Sequence, residues 1–191
     1  MKYRTFDTTK IKTSLLGFGT MRFPVNEDKT INTDQAFKML DLAYANGVNY
    51  YDTAWFYHDG ESEVILGQWL KTIDRESVYV ADKLPLWYCK SREEAIDLFE
   101  EQFRRLDMDY IDNYLVHALN LKRWENFKEW GLVEVLEEAK RQGRIGAIGF
   151  SFHGGYDDFE AIVNDYPWEF CQIQINYLDT AHQQGIKGYK I

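Results

Sequence analysis

A chain of 191 residues with 45% hydrophobic content holds one substantial core and is short for two, so a single domain over residues 1–191 is the first expectation. Its formal net charge of -9 argues against a nucleic-acid backbone or an anionic membrane as the main partner, because both reward Lys and Arg; an anionic cofactor needs only a few amides and cations. Cys89 and Cys171 show no metal-ligand spacing and are too few for a disulfide framework, which points to a reduced, cytoplasmic setting with no bound metal.

The N-terminus has no apolar run of signal-peptide length, and no window approaches the roughly 18 apolar residues of a membrane span. YRTF and KIKTS flank Asp7-Thr8-Thr9 and predict a small hairpin with a polar turn. LLGFGT, from Leu15 to Thr20, reads as a short buried strand with Gly19, Thr20 and Met21 at its tip. A first helix is predicted from about Thr33 to Asn46, capped by Asn32 or Thr33 and stopped by Gly47. Val48 to Asp52 is the second strand, Ser62 to Lys71 the second helix, and Val78 to Lys83 the third strand.

Ser91 followed three residues later by Glu94 is a capping box that opens a helix with Ala95, Phe99, Phe103 and Leu106 as its buried stripe. Tyr110 to His117 reads as the fourth strand, and a Trp-rich loop leads to a helix from Leu132 to Gln142 that stops at Gly143. Ile145 to Phe150, Tyr156 to Asn164 and Phe170 to Ile175 follow as strand, helix and strand, and IKGYKI enters another helix. Strict alternation predicts a parallel sheet with right-handed crossovers, either doubly wound or a barrel. No G-x-G-x-x-G follows the first strand, which favours the barrel.

Asp52, Lys83 and His117 each close a strand, at separations of 31 and 34 residues, about one strand-helix unit apiece. Equivalent positions in successive units are neighbours around a barrel, so the three converge with Tyr57 at its C-terminal face. The chemistry open to such a set is proton donation from a phenol. Lys83 would lower the phenol pKa, Asp52 would hold Lys83 charged and oriented, and His117 would hydrogen-bond a substrate oxygen. Taken singly, each has a structural explanation: a cap, a solvated strand end, a bonded core histidine, a packed ring. Trp55, Phe56, Trp87 and Tyr88 follow the second and third strands, placed either to line a substrate pocket or to cover the barrel mouth.

DTAWFYHDG, with Lys83 and with His117 in YLVH, resembles the Asp, Tyr, Lys, His tetrad of the aldo-keto reductases, (β/α)8 TIM barrels that reduce carbonyls with NADPH. The likeness continues through KYRTF, LGFGTMR, IGAIGFS and QINY. It implies catalytic roles for Asp52, Tyr57, Lys83 and His117, and a nicotinamide across the barrel mouth beside Asp52. It also implies carboxamide contacts at Ser151 and Gln174, and Gly19, Thr20 and Met21 near the cofactor. Gln172, two residues before Gln174, is placed to face the barrel interior as well. SFHGG and NYLDTAHQQG are most similar to the subgroup with a C-terminal ferredoxin-like segment, whose cysteine run is not present here.

About six of eight strands are expected, an incomplete barrel whose late cofactor contacts are missing. Three readings follow: part of a longer reductase acting on a small-molecule aldehyde or ketone; a short non-catalytic protein acting by binding or assembly; or a barrel of another class, such as a lyase or isomerase.

Overall fold

The computed structural model describes residues 1–191. Strands β1 (Tyr3–Thr5) and β2 (Lys12–Ser14) form the expected antiparallel hairpin, tied at its turn by the Thr8 hydroxyl, which donates to the Glu169 carbonyl at 2.6 Å. Six further strands form one all-parallel sheet: β3 (Phe18–Gly19), β4 (Tyr50–Asp52), β5 (Tyr79–Leu84), β6 (Ile111–Leu119), β7 (Ile145–Phe152) and β8 (Phe170–Ile173). Their spatial order is their chain order, with no reversal and no pairing between β3 and β8. A doubly wound sheet reverses its order at a switch point; a barrel wall does not. The sheet is therefore an open, incomplete barrel. No helix is long and apolar enough to cross a membrane.

The helices are α1 (Thr33–Ala45), α2 (Glu61–Leu70), α3 (Arg92–Leu106), α4 (Leu121–Glu129), α5 (Leu132–Arg141), α6 (Tyr156–Asp165) and α7 (Gly185–Tyr189). Asn32 caps α1 by accepting from the Gln35 amide, and Gly47 follows it at φ +83, a conformation glycine adopts without strain. At α3 the box is shifted: Ser91 accepts from Glu94 N–H, but Glu94 accepts from the Lys90 amide rather than from that of Ser91.

Two expectations fail. The Trp-rich loop contains α4, because Asn120 caps it through the Arg123 amide and Trp124 and Phe127, three apart, bury one face. LLGFGT is not a buried strand along its length: only Phe18 and Gly19 pair, while Leu15 and Leu16 stand 55% and 60% exposed beside the hairpin.

Strand periodicity sorts side chains into two layers. Tyr51, Asp82, Tyr114, Phe150 and Phe152 point to the helices, where Tyr51 meets Trp69, Tyr114 meets Phe99, and Phe150 and Phe152 meet Phe159. The alternate residues, Asp52, Lys83, His117 and Ser151, point inward. α2 packs on α3 through Gly67, where an added Cβ would sit 2.6 Å from the Leu106 carbonyl carbon. Gly67→Ala should cost about 1–3 kcal/mol, read as a lower urea midpoint at unchanged m-value.

Directly behind Lys83, a polar network is sealed between β5, α2 and α3. Asp82, Glu63 and Gln102 have no exposed surface. Gln102 Nε2 donates to Glu63 Oε1 at 3.0 Å and to the Lys83 carbonyl at 3.1 Å; Tyr114 O–H donates to Gln102 Oε1; Arg105 pairs with Glu63 Oε2 at 3.0 Å. Asp82 Oδ1 accepts from the Lys83 amide, and its Oδ2 has no other protein donor. Burial, and then the adjacent Glu63 carboxyl, push Asp82 well above the usual carboxylate range, so a proton is shared between the two acids. As pH rises past the ordinary carboxylate pKa, the unfolded chain releases a proton that the folded chain keeps, and stability falls. Asp82→Asn keeps an acceptor for the Lys83 amide and cannot titrate. Its melting temperature relative to the parent should therefore climb between pH 4 and pH 8, by about 2–4 °C for each kcal/mol relieved. A pH-independent difference would show that Asp82 carries no retained proton.

Candidate active site

Lys83 enters the barrel interior from β5 with its side chain 2% exposed. Its ammonium donates to Asp52 Oδ1 at 2.5 Å, to the Thr53 carbonyl at 2.7 Å and to the Tyr57 hydroxyl at 3.4 Å. Burial alone would push the Lys83 pKa down; the adjacent Asp52 carboxylate more than offsets this, and the group stays an ammonium. Asp52 Oδ2 is buried without a partner.

Tyr57 reaches Lys83 because the chain after β4 turns sharply. His58, Asp59 and Gly60 follow with φ of 52°, 55° and 95°, three left-handed residues in succession. His58 fixes the turn by accepting the Phe23 N–H at its Nε2, 3.1 Å away. The Tyr57 pKa is raised, not lowered: burial is the largest influence, Lys83 opposes it, and burial wins. The phenol is accordingly in its proton-carrying form at neutral pH.

His117 ends the inward face of β6 among rings, with Trp87 at 5.1 Å, Phe56 stacked at 5.2 Å and Tyr57 edge-on at 6.2 Å. Burial, then the charges of Lys83, His153 and Arg123, lower its pKa to about 3, and the imidazole is neutral. Its Nδ1 is buried with no partner. Ala118, next in the chain, has φ 45°, and this irregularity in the pairing of β6 with β7 turns its amide to Ser151 Oγ at 2.7 Å.

These side chains share a cavity of about 450 Å³ with Met21, Phe56, Trp87, Ser151, His153, Gln172 and Gln174. The structure thus gathers Tyr57, Lys83, His117, Met21, Phe56, Trp87, Ser151 and Gln174, with Asp52 one contact behind. Thr20 lies elsewhere: it is fully buried, donating to the Asp52 carbonyl at 3.1 Å and accepting from Ser62 at 2.6 Å. Gly19 pairs with Asp52 at the sheet edge, outside the lining. Trp55 is turned away, its ring 3.4 Å under the Arg105 guanidinium, and Tyr88 stacks outside Phe56 at 6.4 Å. Sequence reasoning left His153 without a role, although SFHGG places it two residues beyond Ser151. It assigned none to Glu63, Asp82 and Arg123 either.

A nicotinamide carboxamide needs a donor and an acceptor side by side. Ser151 accepts from Ala118 and retains its own O–H, and the Gln172 and Gln174 side-chain amides have no partner within the chain, so these residues fit such a group.

Residues 15–189 match the model of the family described as "Aldo/keto reductase family". The chain is 33% identical over 173 residues to the NADH-specific methylglyoxal reductase of Escherichia coli (strain K12), covering 78% of this chain and 51% of that protein. The holo form of aldo-keto reductase AKR11C1 from Bacillus halodurans superposes with a TM-score of 0.75 at 25% identity, over 91% of this chain and 57% of that one. An aldo-keto reductase from Klebsiella pneumoniae in complex with NADPH, at 24% identity and a TM-score of 0.71 over 93% and 59% of the two chains, shows the fold alone. The chain spans about half the length of the curated relatives it matches. The reading as a lyase or isomerase barrel falls with these matches. A family pattern running from residue 15 to residue 189, carried on six parallel strands in chain order, means that the chain belongs to the aldo/keto reductase family.

Proposed function

We propose that this chain carries the catalytic half of an NAD(P)H-dependent reductase of aldehydes or ketones, with Tyr57 as the proton donor. The observation that carries this reading is the Lys83 ammonium, held by Asp52 and set 3.4 Å from the Tyr57 hydroxyl on the wall of the cavity that His117 closes. Support for the cofactor class comes from a relative named as an NADH-specific methylglyoxal reductase. NADPH is the form we favour, as the resemblance of the tetrad implies.

When bound, the reduced nicotinamide supplies the hydride. Ser151, Gln172 and Gln174 would hold its carboxamide, and Met21 lines the same cavity. His117, neutral at working pH, donates a ring N–H to the carbonyl oxygen and polarises it without adding a charge. Tyr57 delivers its proton to that oxygen as negative charge builds there, and Lys83 stabilises the phenolate left behind. Asp52 and the Thr53 carbonyl keep the ammonium from swinging away. Phe56 and Trp87 exclude water from the reacting oxygen.

Tyr57→Phe keeps the ring and removes the proton. Reduction of a simple aldehyde, followed by loss of NADPH absorbance, should slow by about 10²- to 10⁴-fold, whereas parental turnover in the variant would strip Tyr57 of the role. Run in reverse, alcohol oxidation needs the phenolate, so its rate should rise with pH. Lys83→Met removes the cation that stabilises the phenolate and should move that rising limb to higher pH; an unmoved limb would mean that Lys83 does not tune the phenol.

A further inference from the structure

Arg123 adjoins two residues of the cavity lining, with its position set from three sides. Asn120 Oδ1 accepts its backbone N–H at 2.9 Å, the left-handed Ala118 turns a carbonyl toward its Nη1, and its guanidinium carbon lies 4.7 Å from the centroid of Trp87. Trp87 and Ala118 both line the cavity. No carboxylate lies within ion-pair distance of Arg123, in a chain with 31 acidic residues. Arg75, Arg105 and Arg144, half-buried as Arg123 is, each face one. Arg92, also half-buried, turns its guanidinium to the Trp130 and Gly131 carbonyls at the end of α4.

A half-buried guanidinium with one acceptor keeps most of its five N–H donors free, and its fork matches a carboxylate in two parallel bonds. Partial burial lowers its pKa, the mark of a cation whose lost hydration is not replaced by a counter-ion. From guanidinium to Trp87 is 4.7 Å and from Trp87 to His117 a further 5.1 Å. In series these bound the separation of the charge from the imidazole that faces the carbonyl, and a benzene ring with a carbonyl at one end and a carboxylate at the other spans such a gap. Trp87 and Phe56 supply flat surfaces for that ring.

We propose that Arg123 receives the carboxylate of the substrate, so that the site takes carbonyl compounds bearing a carboxylate across a short aromatic or aliphatic frame from the reacting carbon. This rests on the proposed reduction for its catalytic meaning, and on binding alone for its test. The full chain, without cofactor, is titrated with 4-carboxybenzyl alcohol and with benzyl alcohol, followed by tryptophan fluorescence. The parent should bind the carboxylated alcohol at least about tenfold more tightly. Arg123→Gln should erase that preference and leave benzyl alcohol unchanged, and Arg123→Lys, which keeps charge but loses the fork, should retain only part of it.

Equal affinities in the parent, or an undiminished preference in either variant, would overturn the assignment; Arg123→Lys decides the matter if the glutamine variant does not fold. Loss of NADPH binding in Arg123→Gln with the alcohol preference intact would give the arginine to a cofactor phosphate and also overturn it. A chain that shows the preference but reduces no aldehyde would refute the proposed reaction and leave the carboxylate site standing.

Discussion

The contact between Lys83 and Asp52 is the constraint on which the rest of the site depends. An ammonium with 2% of its side chain exposed forfeits most of its hydration, and only close, fixed acceptors make that tolerable. Asp52 and the Thr53 carbonyl are those acceptors, so the tip of β4 must lie against β5 in one register. Slipping β5 by one residue would drive Lys83 into the helix layer and Asp82 into the cavity. The network of Glu63, Gln102 and Tyr114 opposes such a slip from the outer face, because Gln102 holds the Lys83 carbonyl while Asp82 Oδ1 takes its amide. The same residue is thus gripped on both sides of the sheet.

The tetrad was legible because strand tips recur at nearly equal spacing, and the barrel converts spacing along the chain into proximity in space. Residues off the strands were less so. Trp55 and Phe56 are adjacent in the sequence and opposite in fate: the turn through His58 and Asp59 sends Phe56 to the cavity, while Arg105 claims the ring of Trp55. No periodicity governs such a loop. Thr20 was placed beside the cofactor by resemblance, yet the structure seals it under Ser62. α4 was hidden because its two buried residues, Trp124 and Phe127, sit in a segment too short and polar to display a helical stripe. Asp82 was hidden by strand alternation itself, which makes its neighbour Lys83 inward and leaves it facing α2 and α3.

The spacing of Tyr57 and Lys83 also suggested a phenol made more acidic by its lysine. Here burial outweighs the lysine, and the phenol holds its proton more firmly than a free tyrosine does. For the proton donor proposed above this would be no handicap, since the acceptor would be an oxygen that becomes strongly basic only as the reaction proceeds. In the proposed reaction Lys83 would act chiefly after the proton has left, and the low pKa of His117 would serve the same scheme by keeping a second charge out of the site.

The bond from Thr8 to Glu169 joins residues 161 apart. Each strand from β3 to β8 pairs with the strand just made, so the wall can grow as the chain leaves the ribosome. The hairpin is held to that wall at two stages: just before β4, where Asn49 exchanges three hydrogen bonds with Lys12 and Ser14, and again at Glu169, just before β8. Only the turn of the hairpin waits for Glu169, and that single bond is a long-range contact of the kind that slows folding.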